Sequence, residues 1–100
     1  MSEASVRRSV RERANGLCER CGQTRGSEAH HRKNRSQGGL WAAANILLMC
    51  TECHRWVTIN PAAAREGGWA LYSHQDPEQT PVKIMGHWML LKNDGTVQWA

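Results

Sequence analysis

Two Cys-x-x-Cys pairs, Cys18/Cys21 and Cys50/Cys53, bracket a histidine doublet at His30 and His31, and His54 directly follows the last cysteine. Cysteines separated by two residues can both reach one ion, and two such pairs complete a tetrahedral structural Zn²⁺ site. Imidazoles do different chemistry, accepting protons near neutral pH and ligating divalent ions. A zinc module that only held its fold together would have no use for them, so the pattern reads as a reactive site held inside a clamp. The pairs are 28 residues apart, wider than the common ribbon spacing of about 15–20. The insert must therefore carry structure of its own.

The elements that position these groups follow from periodicity and breakers. Val6, Val10 and Ala14 fall four apart, with Arg7, Arg8, Arg11 and Arg13 on the other faces. That predicts a helix over 3–15, stopped by Asn15-Gly16. Residues 18–22 read as a tight turn whose glycine lets backbone amides approach sulfur. Residues 28–33 read as a short strand, 34–44 as a loop carrying Gly38-Gly39, and 45–49 as a buried strand. On a strand His30 and His31 point to opposite faces. Both can serve one site only where the strand ends or bends, which the polar loop after Lys33 allows.

Thr51 is the expected N-cap of a helix running to about residue 60, with His54 in its first turn and Trp56 and Ile59 on its buried face. Pro61 restarts a helical turn through Arg65, ended by Gly67-Gly68. Residues 69–73, 82–85, 87–91 and 96–99 read as short strands, with Asn93-Asp94-Gly95 as a hairpin turn. Residues 75–81 read as an exposed loop, and His74 and His87 as surface residues.

A chain of 100 residues is of single-domain length, and one this short often needs a metal to supplement its core. The organisation reads as a basic helix over 1–16, a zinc-clamped core over 17–60 and a β-rich extension over 61–100, within one domain. No signal-peptide pattern is present, and no apolar run approaches the roughly 18 residues that span a bilayer. A cytoplasmic, non-secreted protein without membrane association is expected, in a reducing compartment where paired thiols bind metal rather than oxidise. Net charge is +4, but residues 1–35 carry nine of the 13 Lys and Arg against four of the nine acids. That half suits a polyanion, and nucleic acid is the usual one.

Residues 17–60 resemble the HNH endonucleases of the ββα-metal, treble-clef-like fold, and the stretch 29–61 resembles small phage-type members in particular. The resemblance rests on Cys18-x-x-Cys21-Gly22, Ala29-His30-His31-Arg32, Gly38-Gly39, Asn45 and Leu48-Met49-Cys50-x-x-Cys53-His54. It implies His31 as general base, His30 and His54 as ligands of a catalytic divalent cation, and Asn45 as the residue that holds the loop carrying the base. Some members carry a third metal histidine four residues after the second; here that position is Thr58, a poor ligand. The ion would keep an open site compatible with Mg²⁺, Mn²⁺, Ni²⁺ or Zn²⁺. Arg32, Arg35 and Arg55 flank the motif and read as phosphate contacts, which position DNA without reading its sequence.

The expectation is an α+β fold: a small zinc-stabilised ββα-metal finger with an N-terminal helix and a C-terminal β-rich extension. The expected activity is hydrolysis of duplex DNA with limited sequence preference. By family analogy the protein would act in the host cytoplasm of a phage, with a terminase or other phage protein as possible partner. Two rivals stand beside this reading, a non-catalytic zinc module that binds DNA or protein, and an RNA-directed nuclease.

Overall fold

A computed structural model describes residues 2–100, and in it the strand Ile46–Met49 is buried along its whole length. In chain order the elements are helix α1 (Glu3–Ala14), strand β1 (Glu28–His31), strand β2 (Ile46–Met49), helices α2 (Thr51–Ile59) and α3 (Pro61–Glu66), and strands β3 (Val82–Ile84), β4 (His87–Leu91) and β5 (Val97–Trp99). Two 3₁₀ turns, Arg35–Gln37 and Ala43–Asn45, lie in the loop between β1 and β2. β1 and β2 form an antiparallel hairpin in which His30 opposes Leu47 and His31 opposes Ile46. With α2 immediately following, this is a ββα unit. β3, β4 and β5 form a separate antiparallel sheet.

The continuous apolar run of β2 has a simple cause: both of its faces are covered. Ile46 and Leu48 pack on Val6, Val10 and Ala14 of α1. Leu47 and Met49 pack with Val57 of α2, Ala64 of α3, and Val82 and Leu91 of the C-terminal sheet. The extension therefore closes the core. A buried ion pair fastens α1 to β2, since Arg13 and Glu19 meet at 2.7 Å with side chains only 4% and 2% exposed. Arg13 also donates to the carbonyls of Ala43 and Ile46, and Glu19 accepts from the amide of Leu48. Every side-chain polar atom of this pair has a partner, so removing either residue alone would cost about 3–5 kcal/mol.

Three local expectations are corrected. Cys50, not Thr51, caps α2, because its Sγ accepts the Cys53 amide. Residues 69–73 form no strand; the Trp69 amide bonds the Ala64 carbonyl and the Leu71 amide the Arg32 carbonyl, so the segment closes α3 and braces β1. Ile59 is 68% exposed, and Cys53 and Val57 form the buried face of α2.

Candidate active site

The four cysteine sulfurs lie within 4.8 Å of one another. That spread fits one ion held at Zn–S distances of about 2.3 Å. Cys18 and Cys21 come from the turn after α1, and Cys50 and Cys53 from the entry to α2. Gly22, at φ +65°, turns the chain so that the Gln23 amide reaches Cys21 Sγ at 3.5 Å. Arg20 donates to Cys53 Sγ at 3.2 Å, with its guanidinium 4.0 Å from the Trp56 ring centre and 4.5 Å from that of Trp69. These donors offset the negative charge that four thiolates bring together. Among the described residues this is the only cluster of three or more metal-ligating side chains.

The clamp joins the hairpin to α2, and between them opens a cleft of about 610 Å³ lined by His30, His31, Arg35, His54, Thr58 and Arg65, among others. His30 and His54 stand edge to face with ring centres 5.1 Å apart. The Nε2 of His30 lies 2.6 Å from the Trp69 carbonyl, and the Nδ1 of His54 2.5 Å from the Glu28 carboxylate. Both partners only accept, so the neutral rings carry their protons on those nitrogens. The lone pairs fall on Nδ1 of His30 and Nε2 of His54, the arrangement by which a protein readies an imidazole for metal. Burial, the largest cause, pushes His30 down to about 4, so the ring stays neutral at physiological pH. The donor set thus fits a divalent cation with two protein ligands and open positions. Thr58, whose hydroxyl donates to the His54 carbonyl, offers only a weak neutral oxygen.

His31 is the last residue of β1, which is how adjacent histidines reach the same cleft. Its ring packs edge to face on Trp41, centres 4.6 Å apart, and its Nε2 is buried without a hydrogen-bond partner. Burial first, then the charges of Arg35 and Arg7 against an opposing Glu3, lower its pKa below the ordinary histidine value. Asn45 is 1% exposed and reaches across the loop that leaves His31. Its Oδ1 accepts the Lys33 amide, and its Nδ2 donates to the carbonyls of Lys33 and Leu40. Gly39 completes this crossing, since a Cβ there would fall 1.6 Å from the Lys33 carbonyl oxygen.

The arginines divide sharply. Arg35 is exposed at the cleft, and Arg55 is exposed along the outer groove beside Glu28, His54 and Thr58. Arg32, expected at the phosphate, is 1% exposed and spends its guanidinium on the carbonyls of Gly68, Ala44, Pro77 and Thr80. It is a cross-brace between the hairpin and the C-terminal segment, with four of its five N–H donors spent on backbone.

Two residues at the site escape the sequence reading, Glu28 in the outer groove and Arg65 in the cleft. Glu28 holds both His54 and the Thr51 hydroxyl; those hydrogen bonds, Thr51's foremost, keep its carboxyl below the usual range. Alternation along β1 places Glu28 two residues before His30 on the same face, and that was the available signal. Arg65 enters from α3, and only the fold brings it near.

No curated protein and no solved structure matches the chain. The family model described as HNH endonuclease matches residues 18–58.

Proposed function

From the HNH endonuclease domain at residues 18–58, we propose that the protein is a metal-dependent endonuclease that hydrolyses DNA phosphodiester bonds. The observation that carries this reading is one cleft lined by His30, His31 and His54 beside the four-cysteine clamp. A non-catalytic zinc module would leave unexplained why Asn45 spends three hydrogen bonds on the loop after His31.

In this reading His31 takes the proton of the attacking water. Its Nε2 is enclosed, which leaves Nδ1 to face the cleft, and its lowered pKa keeps the ring neutral at pH 7. Asn45 keeps His31 aimed by fixing the loop. His30 and His54 would hold a divalent cation, which when bound supplies charge stabilisation at the scissile phosphate and the leaving oxygen. Arg35 and Arg55 would contact flanking phosphates. The substrate class follows from the family and from the basic first third of the chain, with duplex DNA as the proposed form. A role in phage DNA packaging beside a terminase is a further step that rests on family analogy alone.

A nicking assay on supercoiled plasmid tests the proposal. The zinc-loaded protein should relax plasmid when Mg²⁺, Mn²⁺ or Ni²⁺ is added, and His31→Ala should lose about 10²–10⁴-fold in rate. Binding without cleavage across those ions would leave the non-catalytic module standing, and preferential cleavage of RNA would redirect the substrate.

A further inference from the structure

The segment after α3 leads to a feature that neither the core nor the histidine cleft uses. The rings of Tyr72 and His74 are stacked, 11° from parallel with centres 5.7 Å apart. Tyr72 is 51% exposed and His74 is exposed as well, so the pair presents ring surface to solvent. Neither belongs to an apolar cluster. The guanidinium of Arg65 lies 4.6 Å from the Tyr72 ring centre, and Arg65 also lines the cleft with His30, His31 and His54. One cation thus touches both the reactive cleft and the aromatic stack.

The stack is held in place by its backbone. The Leu71 amide donates to the Arg32 carbonyl, and Gln37 Nε2 donates to the Leu71 carbonyl. The Tyr72 amide donates to Gln75 Oε1, the Gln75 amide donates back to the Tyr72 carbonyl, and Lys33 Nζ binds the Gln75 carbonyl. These bonds tie the turn to the loop that leaves His31, so the two sites are parts of one frame. An ordered, exposed ring pair beside a cation at the mouth of a phosphate-handling cleft has the parts of a base-stacking platform: a π-face for the base and a positive group for the backbone.

We propose that Tyr72 and His74, with Arg65 beside them, form a subsite for an unpaired nucleobase of the strand whose phosphate lies in the cleft. The inference rests on the nuclease reading and narrows its substrate. A strand with a single-stranded, frayed or mismatched base beside the scissile bond offers a π-face at no unstacking cost, whereas an intact duplex must give up stacking first. Recognition here is sequence-tolerant, because every base has a π-face.

Fluorescence anisotropy on the full zinc-loaded chain without added divalent cation tests this, using a short labelled oligothymidylate and a blunt duplex as probes. Tyr72→Ala should weaken oligothymidylate binding by about 5- to 150-fold, while duplex binding changes less than about twofold. Tyr72→Trp should restore the single-strand affinity, and His74→Ala should lower it in the same direction. Because Tyr72 and His74 are exposed, circular dichroism should not distinguish these variants from wild type. Equal losses on both probes, no loss on either, or no binding of oligothymidylate by wild type would each overturn the subsite. Plasmid nicking by the same wild-type preparation reads the nuclease assignment separately, since the binding assay involves no cleavage.

Discussion

Replacing Arg32 by methionine should destabilise the fold and should not act through a contact with nucleic acid. The guanidinium donates to four backbone carbonyls at 2.8–2.9 Å. Hydrogen bonds from a charged donor contribute about 1.5–3 kcal/mol each, so the four together amount to roughly 6–12. Burying the charge works against this. Desolvation, aided by Arg13, brings the Arg32 pKa well below its ordinary value, to about 10, which converts to about 3 kcal/mol. The net is at least about 3 kcal/mol, and methionine keeps the apolar volume while leaving four carbonyls short of a donor. For a chain of this length each kcal/mol moves Tm by about 4–8 °C, so Tm should fall by about 12 °C or more. Thermal unfolding by circular dichroism reads the shift, and anisotropy below the transition reads DNA affinity. Arg35→Ala is the contrast, with Tm unchanged and cleavage reduced. An Arg32→Met protein with wild-type Tm and lost DNA affinity would refute the reasoning and return Arg32 to the substrate.

Asn45→Ala removes three hydrogen bonds and should cost about 3 kcal/mol, with kcat falling while duplex affinity holds, as read by denaturant melts and steady-state kinetics. The lowered pKa keeps His31 unprotonated to below the ordinary value of about 6.5. The acid limb of the rate profile should accordingly lie below pH 6.5 and move upward in Arg35→Ala, where a like charge is gone; a limb above 6.5 in wild type would contradict the assignment. Glu28→Gln takes the carboxylate from His54 and should weaken Mn²⁺ binding in the cleft about 10- to 100-fold, measured by electron paramagnetic resonance with the fold intact. Elemental analysis should find one tightly bound zinc per chain, and its removal by chelator should collapse the far-ultraviolet dichroism, because so small a core leans on its cross-link.

The legible parts of this fold are those where residue type and spacing suffice. Cysteine spacing located the clamp, the four-residue recurrence of Val6, Val10 and Ala14 located α1, and the apolar run 45–49 announced a buried strand. Arg32 was misread because an arginine beside a histidine doublet has the same sequence signature whether it meets phosphate or four carbonyls; only the path of residues 68–80 decides. Trp69 to Tyr72 carry strand-like residues, yet the Trp69, Leu71 and Tyr72 amides are claimed by Ala64, Arg32 and Gln75 rather than by a neighbouring strand. Thr51 is a better cap than cysteine by type, but a sulfur poised for a cation accepts the Cys53 amide equally well. Arg65 was invisible for a plainer reason: nothing near it in the sequence names the cleft.

The double-sided burial of Ile46–Met49 sets how finely this protein can be divided. The stretch matched by the HNH endonuclease model, 18–58, holds the strand and Val57 but lacks the rest of its coverings, which arrive from α1 before it and from Ala64, Val82 and Leu91 after it. Trimming to residues 18–58 would uncover the α1 face of the strand and part of the other, and should leave a fragment that does not fold. The family match and the folding unit thus have different borders in one small chain. The recognisable motif lies in the middle, while the burial that lets that middle fold is supplied by its ends.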